Sequence, residues 1–136
     1  MHIRRTSTLD NIPREFFEQA DDPLITEDVI DRLYEHLPQM AVEGQVTILE
    51  ICDDDVIAGV IVLQPNVLTS TLSIVFTALK DEYKGKLDFP RKLTEFASEY
   101  ARQAGCSRIT GCSKRAKTME RFGWTATNQR IMYKEV

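Results

Sequence analysis

The first 45 residues carry apolar side chains at helical spacing, after a loosely alternating stretch at residues 2–7 that is typical of a strand. The first helical face comprises Ile12, Phe16, Phe17 and Ala20. Thr26 is suited to cap a second helix, because its hydroxyl can accept a hydrogen bond from a backbone N–H in the first turn. The buried stripe of that helix is expected to be Val29, Ile30, Leu33 and Leu37, with Pro38 ending it.

Between residues 46 and 79 the pattern changes to strands. Residues 46–51 are mostly apolar, the three acids at 53–55 predict a tight turn, and residues 56–63 form a nearly continuous apolar run. Such a run is typical of a central strand that is covered on both faces. Pro65 and Asn66 are expected to end it, and residues 69–79 predict a third strand. Because the connections are too short for crossovers, the three strands are expected to be antiparallel.

The remaining chain predicts a helix, a strand, a short helix and a closing strand pair. Asp88 is expected to cap an amphipathic helix with Pro90 in its first turn and Gly105 after its end. Residues 107–111 then predict a short strand parallel to the one before the helix. A short helix is expected at about 113–122, followed by strands at 124–127 and 130–136.

This order, β-α-α-β-β-β-α-β-α-β(β), predicts an α/β (α+β) fold with a mixed, mostly antiparallel central sheet flanked by helices. The length of 136 residues is typical of one domain, so residues 1–136 are expected to form a single unit. No apolar run approaches the length of a membrane helix, and the polar start carries no secretory signal, so a cytoplasmic protein is expected.

The net charge of −4 conceals a strong asymmetry along the chain. Residues 1–55 carry 14 acids and 4 bases, whereas residues 56–136 carry 7 acids and 13 bases. Two differently solvated faces would explain this, and so would an anion bound by the second half. Nucleic acid is a disfavoured partner because the chain is acidic overall. The three cysteines form no CxxC motif, so no metal site is predicted.

Three segments of the second half carry a specific resemblance. They read ALKDEYKGKLDFPRKL at 78–93, FASEYARQAGCSRITGCS at 96–113 and MERFGWTATNQRIMYKEV at 119–136. Together with the element order, they resemble the GCN5-related N-acetyltransferase (GNAT) superfamily. The resemblance covers residues 78–136 in local sequence and residues 1–77 in element order only.

The resemblance implies a GNAT-like fold, acetyl-CoA as cofactor and transfer of its acyl group to an amine, the activity of an N-acetyltransferase. In that family the cofactor lies between two splayed strands, and a loop at a helix start binds its pyrophosphate. Carried over residue by residue, the implied cofactor-binding positions are Ala78, Leu79, Lys84, Gly85, Lys86, Leu87, Asp88, Phe89, Cys112 and Met119. The acceptor amine, a small molecule or a protein, is not identified, although the acidic first half suits a cationic one.

Two carboxylates are candidates for a general base. Glu50 lies on a neighbouring predicted strand, where the family often has an acid, and Glu82 lies beside the basic loop. The ordinary alternative for each is a solvent-exposed side chain with no chemical role. Cys112 would lie near the thioester, and its ordinary alternative is an inert buried thiol.

The chain departs from the family pattern at positions that matter for chemistry. Leu87 and Phe89 replace the loop glycines, and Met119 replaces the tyrosine that often serves as general acid. These replacements leave a second hypothesis open, in which the protein keeps the fold but has a binding or structural role. Such a protein could be a subunit of an oligomer, or of a larger or viral assembly.

Overall fold

A computed structural model of the chain describes residues 1–20, 22–85 and 88–136. Its strands are β1 (His2–Thr6), β2 (Thr47–Asp53), β3 (Val56–Asn66), β4 (Thr71–Leu79) and β5 (Arg108–Thr110). Its helices are α1 (Glu15–Glu18), α2 (Glu27–Val42), α3 (Phe89–Gln103) and α4 (Ala116–Glu120), with a 3₁₀ turn at Asp81–Tyr83.

The five strands form one sheet in the order β1-β2-β3-β4-β5. The first four are antiparallel to their neighbours, and β5 is parallel to β4, to which it is connected through α3. Short connections permit only antiparallel pairing, whereas a helix-containing crossover returns the chain in parallel. The mixed, mostly antiparallel sheet predicted from the sequence is therefore confirmed.

The sheet is covered on both faces, which explains its long apolar runs. Ile48, Val60 and Val62 lie in one buried cluster with the aromatic side chains of α1 and with α2. Leu49, Ile61 and others lie in a second cluster with α3. Successive residues alternate between the faces, so a strand buried on both sides is apolar throughout.

Helix α2 begins as predicted and ends later than predicted. The hydroxyl of Thr26 accepts a hydrogen bond from the backbone N–H of Val29 at 3.4 Å. Pro38 does not end the helix, which continues to Val42. Residues of the extra turn, including Met40, pack against the core, and this packing offsets the hydrogen bond that proline cannot donate. The chain leaves the helix at Gly44, whose φ of +77° is readily adopted by glycine.

Strand β3 is also longer than expected, because Pro65 and Asn66 belong to it. They lie opposite Leu72 and Thr71 at the end of the β3–β4 hairpin. A proline near the end of a strand removes only one possible ladder hydrogen bond, so pairing continues past it.

The predicted closing strands at 124–127 and 130–136 are wrong. Among the described residues that follow α4 there is no strand, and the sheet ends at β5. Ile131, Met132 and Tyr133 are exposed by 66%, 89% and 63%. Because β5 has only three residues, its outer edge offers few backbone groups with which a further strand could pair.

No helix in the described ranges is long and apolar enough to cross a membrane.

Candidate functional site

Strands β4 and β5 diverge, and this divergence creates the principal cavity of the protein. β5 pairs only with Thr71–Ser73 at the start of β4. In the described part of the chain, residues 74–79 of β4 therefore have a strand partner on the β3 side alone. The free edge of β4 is a row of backbone groups that can pair with an extended ligand.

The register between β3 and β4 shows which residues present their backbone to this gap. The N–H of Lys80 donates to the carbonyl of Ala58 at 2.7 Å, so that pair is hydrogen-bonded across the hairpin. Hydrogen-bonded and non-hydrogen-bonded pairs alternate along an antiparallel ladder. Leu79 opposite Gly59 and Thr77 opposite Ile61 are consequently non-hydrogen-bonded pairs. Their backbone N–H and C=O groups are directed away from β3, into the gap.

The cavity at this gap has a volume of about 680 Å³. Its walls come from the second half of β4, the start of α3, the segment between β5 and α4, α4 itself, and residues 124–127 with Gln129. Ala20 from the α1–α2 connection also lines it. Chain segments distant in sequence therefore converge on one concave surface, as is usual for ligand sites.

The cavity brings together most of the residues that the resemblance implied. Its lining includes Ala78, Leu79, Lys84, Gly85, Phe89, Cys112 and Met119. Asp88 is not among the described lining residues, and Lys86 and Leu87 lie outside the described residues. Their roles in binding a cofactor stay predictions.

Asp88 precedes α3 as expected, but its carboxylate does not cap the helix. No backbone N–H of the first turn donates a hydrogen bond to this carboxylate. The carboxylate instead accepts a hydrogen bond from Nε of Arg91 at 2.6 Å, and this interaction raises the pKa of the Arg91 guanidinium. The nearby arginine competes successfully with the backbone for the same oxygen atoms.

Two cations of the loop between β4 and α3, Lys80 and Lys84, are also ion-paired. Nζ of Lys80 lies 2.9 Å from Oε1 of Glu82, which raises the pKa of the Lys80 ammonium. Nζ of Lys84 lies 2.6 Å from Oδ1 of Asp81 and donates to the carbonyl of Gln19 at 3.0 Å. Exposed ion pairs contribute little to stability, so an incoming anion can compete for these cations.

Neither predicted general base lies in the lining of this cavity as described. The carboxylate of Glu50 is buried in the sheet and accepts a hydrogen bond from Nε of Arg4 at 2.6 Å. That hydrogen bond raises the pKa of the Arg4 guanidinium. The alternative of an exposed strand glutamate is therefore wrong for Glu50. Glu82 is exposed and paired with Lys80.

A smaller cleft of about 470 Å³ lies on the α1–α2 side of the same strand end. Its lining includes Arg4, Asn11, Phe16, Asp55 and Lys80. Lys80 directly follows Leu79 of the larger cavity, so the two concave surfaces adjoin at the end of β4. The mixture of charges in the cleft could bind a ligand that carries both an anionic and a cationic group.

The described side chains of the larger cavity offer sulfur atoms and hydroxyls, together with one carboxylate, Glu120, and two cations, Lys84 and Arg115. Met119 and Cys112 line it, with Cys112 exposed. The described lining residues include no tyrosine and no histidine. Nowhere in the described residues do three or more metal-binding side chains cluster.

Thr77 and Arg115 also line the cavity and were missed from the sequence. Thr77 has the appearance of an ordinary β-branched strand residue, so its position gives no indication of a site. Arg115 belongs to a basic stretch whose position beside the gap depends on the path of the chain after β5.

The fold is shared with solved structures. AAC(6')-Iy in complex with the bisubstrate analogue CoA-S-monomethyl-acetylneamine has a TM-score of 0.73 at 13% identity, covering 99% of this chain and 97% of that one. A transcriptional regulator from Bacillus halodurans C-125 has a TM-score of 0.72 at 16% identity, covering 98% and 99%. A GCN5-related N-acetyltransferase from Ralstonia eutropha JMP134 has a TM-score of 0.71 at 15% identity, covering 99% and 97%.

No family model and no curated protein matches the sequence. At these identities the structural likeness shows the fold alone. The fold that the sequence resemblance implied is thereby confirmed.

Proposed function

We propose that this chain, which has the fold of the GNAT superfamily, transfers an acyl group from an acyl-CoA, acetyl-CoA in the simplest case, to an amine. The observation that carries this proposal is the unpaired edge of β4 at Thr77 and Leu79, which faces the cavity of about 680 Å³. A backbone edge inside a cavity suits an extended ligand with amide groups, such as the pantetheine arm of coenzyme A.

The residues present fit such an arm. The gap is open on one side of β4, and it is lined by apolar side chains that include Leu79 and Leu93. Backbone N–H and C=O groups at Thr77 and Leu79 can pair with the two amides of the arm as a neighbouring strand would. When bound, the cofactor would supply an activated acyl thioester.

The phosphate end of the cofactor would be bound mainly by side-chain cations. Lys84 and Arg115 line the cavity, and both carry positive charge. Pro90 lies in the first turn of α3 and has no N–H to donate, so the helix start offers one donor fewer than usual. We expect binding to depend on salt, because it would rely on cations at the rim.

Transfer would depend on positioning. A protonated acceptor would first lose one proton to solvent. The neutral amine nitrogen would then bond to the thioester carbon as the carbon–sulfur bond breaks, the nitrogen would lose a second proton to solvent, and the sulfur would leave as a thiolate. Because Met119 has no proton to give, water would be the proton source for that thiolate. Proximity alone can supply a large part of a rate enhancement.

Charge favours a cationic acceptor. Exposed acids at the start of α2 include Glu27, Asp28 and Asp31. Arg14 forms ion pairs with Glu27 and Asp31 and so offsets part of this negative charge. The α1–α2 connection reaches the larger cavity at Ala20. An acidic surface beside a site raises the local concentration of a protonated amine. Lysine side chains, protein N-termini and polyamines share this chemistry.

One observation favours the second hypothesis, a GNAT fold with a binding or structural role. Met119 occupies the cavity position at which the family often has a catalytic tyrosine. A fold does not fix a function, and a structural neighbour described as a transcriptional regulator shares this one.

Calorimetric titration with acetyl-CoA tests the proposal. We expect binding with a dissociation constant below about 1 mM, and acetylated products from a mixed amine panel detected by mass spectrometry. Arg115→Ala should weaken binding, whereas Arg121→Ala, an exposed arginine outside the described lining, should not. Absence of binding at millimolar acetyl-CoA would overturn the proposal, and binding without any acetylated product would favour the second hypothesis.

A further inference from the structure

The hydroxyl of Thr77 is unusual among the described residues. It is the one buried side-chain oxygen or nitrogen there that has no hydrogen-bond partner. Buried polar groups are nearly always hydrogen-bonded, because a buried group without a partner has lost its hydrogen bonds to water and gained none in return, which lowers the free energy of unfolding. An unpaired hydroxyl in a folded protein therefore needs an explanation.

The position of this hydroxyl supplies one. Thr77 lies on the part of β4 that has no partner on the β5 side, and it lines the larger cavity. It is opposite Ile61, whose side chain belongs to the cluster on the α3 face, so its own side chain is on that face. Leu79, Phe89 and Leu93 line the same cavity, and their side chains have no polar group with which Oγ1 could pair.

We infer that Thr77 is a cofactor-binding residue whose hydroxyl pairs with an amide of the arm of a bound acyl-CoA. The inference rests on the proposed function and adds a side-chain contact to the backbone edge. A hydroxyl can donate to an amide carbonyl and accept from an amide N–H, so either group of a secondary amide satisfies it. A hydrogen bond formed away from water is also stronger than one at the surface.

The unpaired hydroxyl also affects the stability of the protein in the absence of any ligand. Neighbouring side chains shield Oγ1 from solvent, so some of them must be displaced as the arm enters. In the cofactor-free protein the hydroxyl is a buried polar group without compensation, and an isosteric apolar side chain removes that cost. Thr77→Val should therefore stabilise the free protein while weakening cofactor binding, a combination that an ordinary structural threonine would not give.

Thr47 provides the matched control. It is a buried strand threonine whose Oγ1 is hydrogen-bonded to the phenolic hydroxyl of Tyr100, and it does not line the cavity as described. Thr47→Val should lower the midpoint of thermal unfolding, because it leaves the Tyr100 hydroxyl without that partner. It should not change acetyl-CoA affinity. The two substitutions are chemically identical and are expected to have opposite effects.

The experiment measures thermal unfolding without ligand and acetyl-CoA affinity by calorimetry for the wild type, Thr77→Val, Thr77→Ser and Thr47→Val. Thr77→Val should raise the unfolding midpoint by about 3 °C and weaken binding about three- to tenfold. Thr77→Ser keeps the hydroxyl and should bind within about twofold of the wild type.

The outcomes separate this inference from the proposed function. If the wild type does not bind acetyl-CoA, the proposed function is wrong, and the inference about Thr77, which depends on it, is wrong as well. If the wild type binds and Thr77→Val binds equally well, only the inference fails. A lower unfolding midpoint for Thr77→Val, or loss of its folded state, would also overturn the inference, because the hydroxyl would then have a structural role.

Discussion

The indole N–H of Trp124 donates a hydrogen bond to Oγ1 of Thr94 at 2.8 Å. This contact connects the chain after α4 to the middle of α3, and the residues that follow Trp124 form one wall of the larger cavity. Thr94 also donates to the carbonyl of Pro90 at 2.7 Å, so its hydroxyl both donates and accepts. The side chain of Thr94 thus connects this cavity wall to the first turn of α3.

Trp124→Phe should loosen this wall. The substitution removes the N–H and leaves a ring of smaller area, so we expect the free energy of unfolding to fall by about 1 kcal/mol and acetyl-CoA binding to weaken. Denaturant unfolding and calorimetry measure the two effects. Met132→Ala, in the exposed part of the same tail, should change neither quantity. Equal stability of Trp124→Phe and the wild type would show that the hydrogen bond does not restrain the wall.

Glu50→Gln tests whether the buried carboxylate is a base or a structural group. The amide keeps an oxygen for Arg4 but buries an N–H₂ group, so we expect a loss of about 1–3 kcal/mol in the free energy of unfolding. Turnover per folded molecule should fall less than about tenfold, whereas removal of a general base usually costs about 100-fold or more. A loss of that size would restore Glu50 as the base. Glu82→Gln, which changes an exposed side chain, is the control for stability and tests the other candidate.

Met119→Tyr should raise turnover if protonation of the departing thiolate limits the reaction. Met119 is half-buried in the cavity lining, and a tyrosine there would present a hydroxyl toward the bound thioester. Met119→Phe supplies the same ring without the hydroxyl and is the matched control. We expect kcat to rise about tenfold or more for tyrosine over phenylalanine, with similar KM values for acetyl-CoA. Equal kcat values for the two variants would show that no general acid is missing.

Gly59 is required where β3 passes the carbonyl oxygen of Ala78 on β4. A Cβ at this position would clash with the carbonyl oxygen of Ala78 and would lie 3.1 Å from Cδ1 of Ile51. Gly59→Ala should therefore destabilise the protein by about 1–3 kcal/mol and displace the end of β4 that lines the cavity. Gly111→Ala is the control, because its Cβ would meet Ile74 at an ordinary 3.4 Å. Similar unfolding free energies for the two variants would contradict this account of the β3–β4 contact.

Features of the fold that depend on local pattern could be predicted from the sequence. The cap at Thr26, the apolar strands β2 to β4 and the parallel return to β5 each follow from spacing and connection length. The end of α2 could not be predicted in this way, because the packing of Met40 that extends the helix past Pro38 is tertiary. The tail from residue 124 to 136 has a strand-like pattern, but a strand also needs an edge to pair with.

Some residues of the site could likewise be predicted from the sequence, and others could not. Positions such as Leu79 and Gly85 could be predicted from a local resemblance, and the structure places both in the cavity lining. The burial of Glu50 could not, because its partner Arg4 lies 46 positions away in the sequence. Thr77 was missed for a related reason, since the cavity that its unpaired hydroxyl lines forms where β5 diverges from β4.

We expect acyl-CoA to occupy the gap between β4 and β5, and the reactivity of the three cysteines reports on its position. Cys112 lines the cavity and is exposed, Cys106 is half-buried outside the described lining, and Cys52 is buried, which raises the pKa of its thiol. Alkylation by N-ethylmaleimide, followed at each cysteine by mass spectrometry, should be slowed at Cys112 by acetyl-CoA and unchanged at Cys106. Labelling of Cys112 that stays equally fast at millimolar acetyl-CoA would show that acyl-CoA does not occupy this gap.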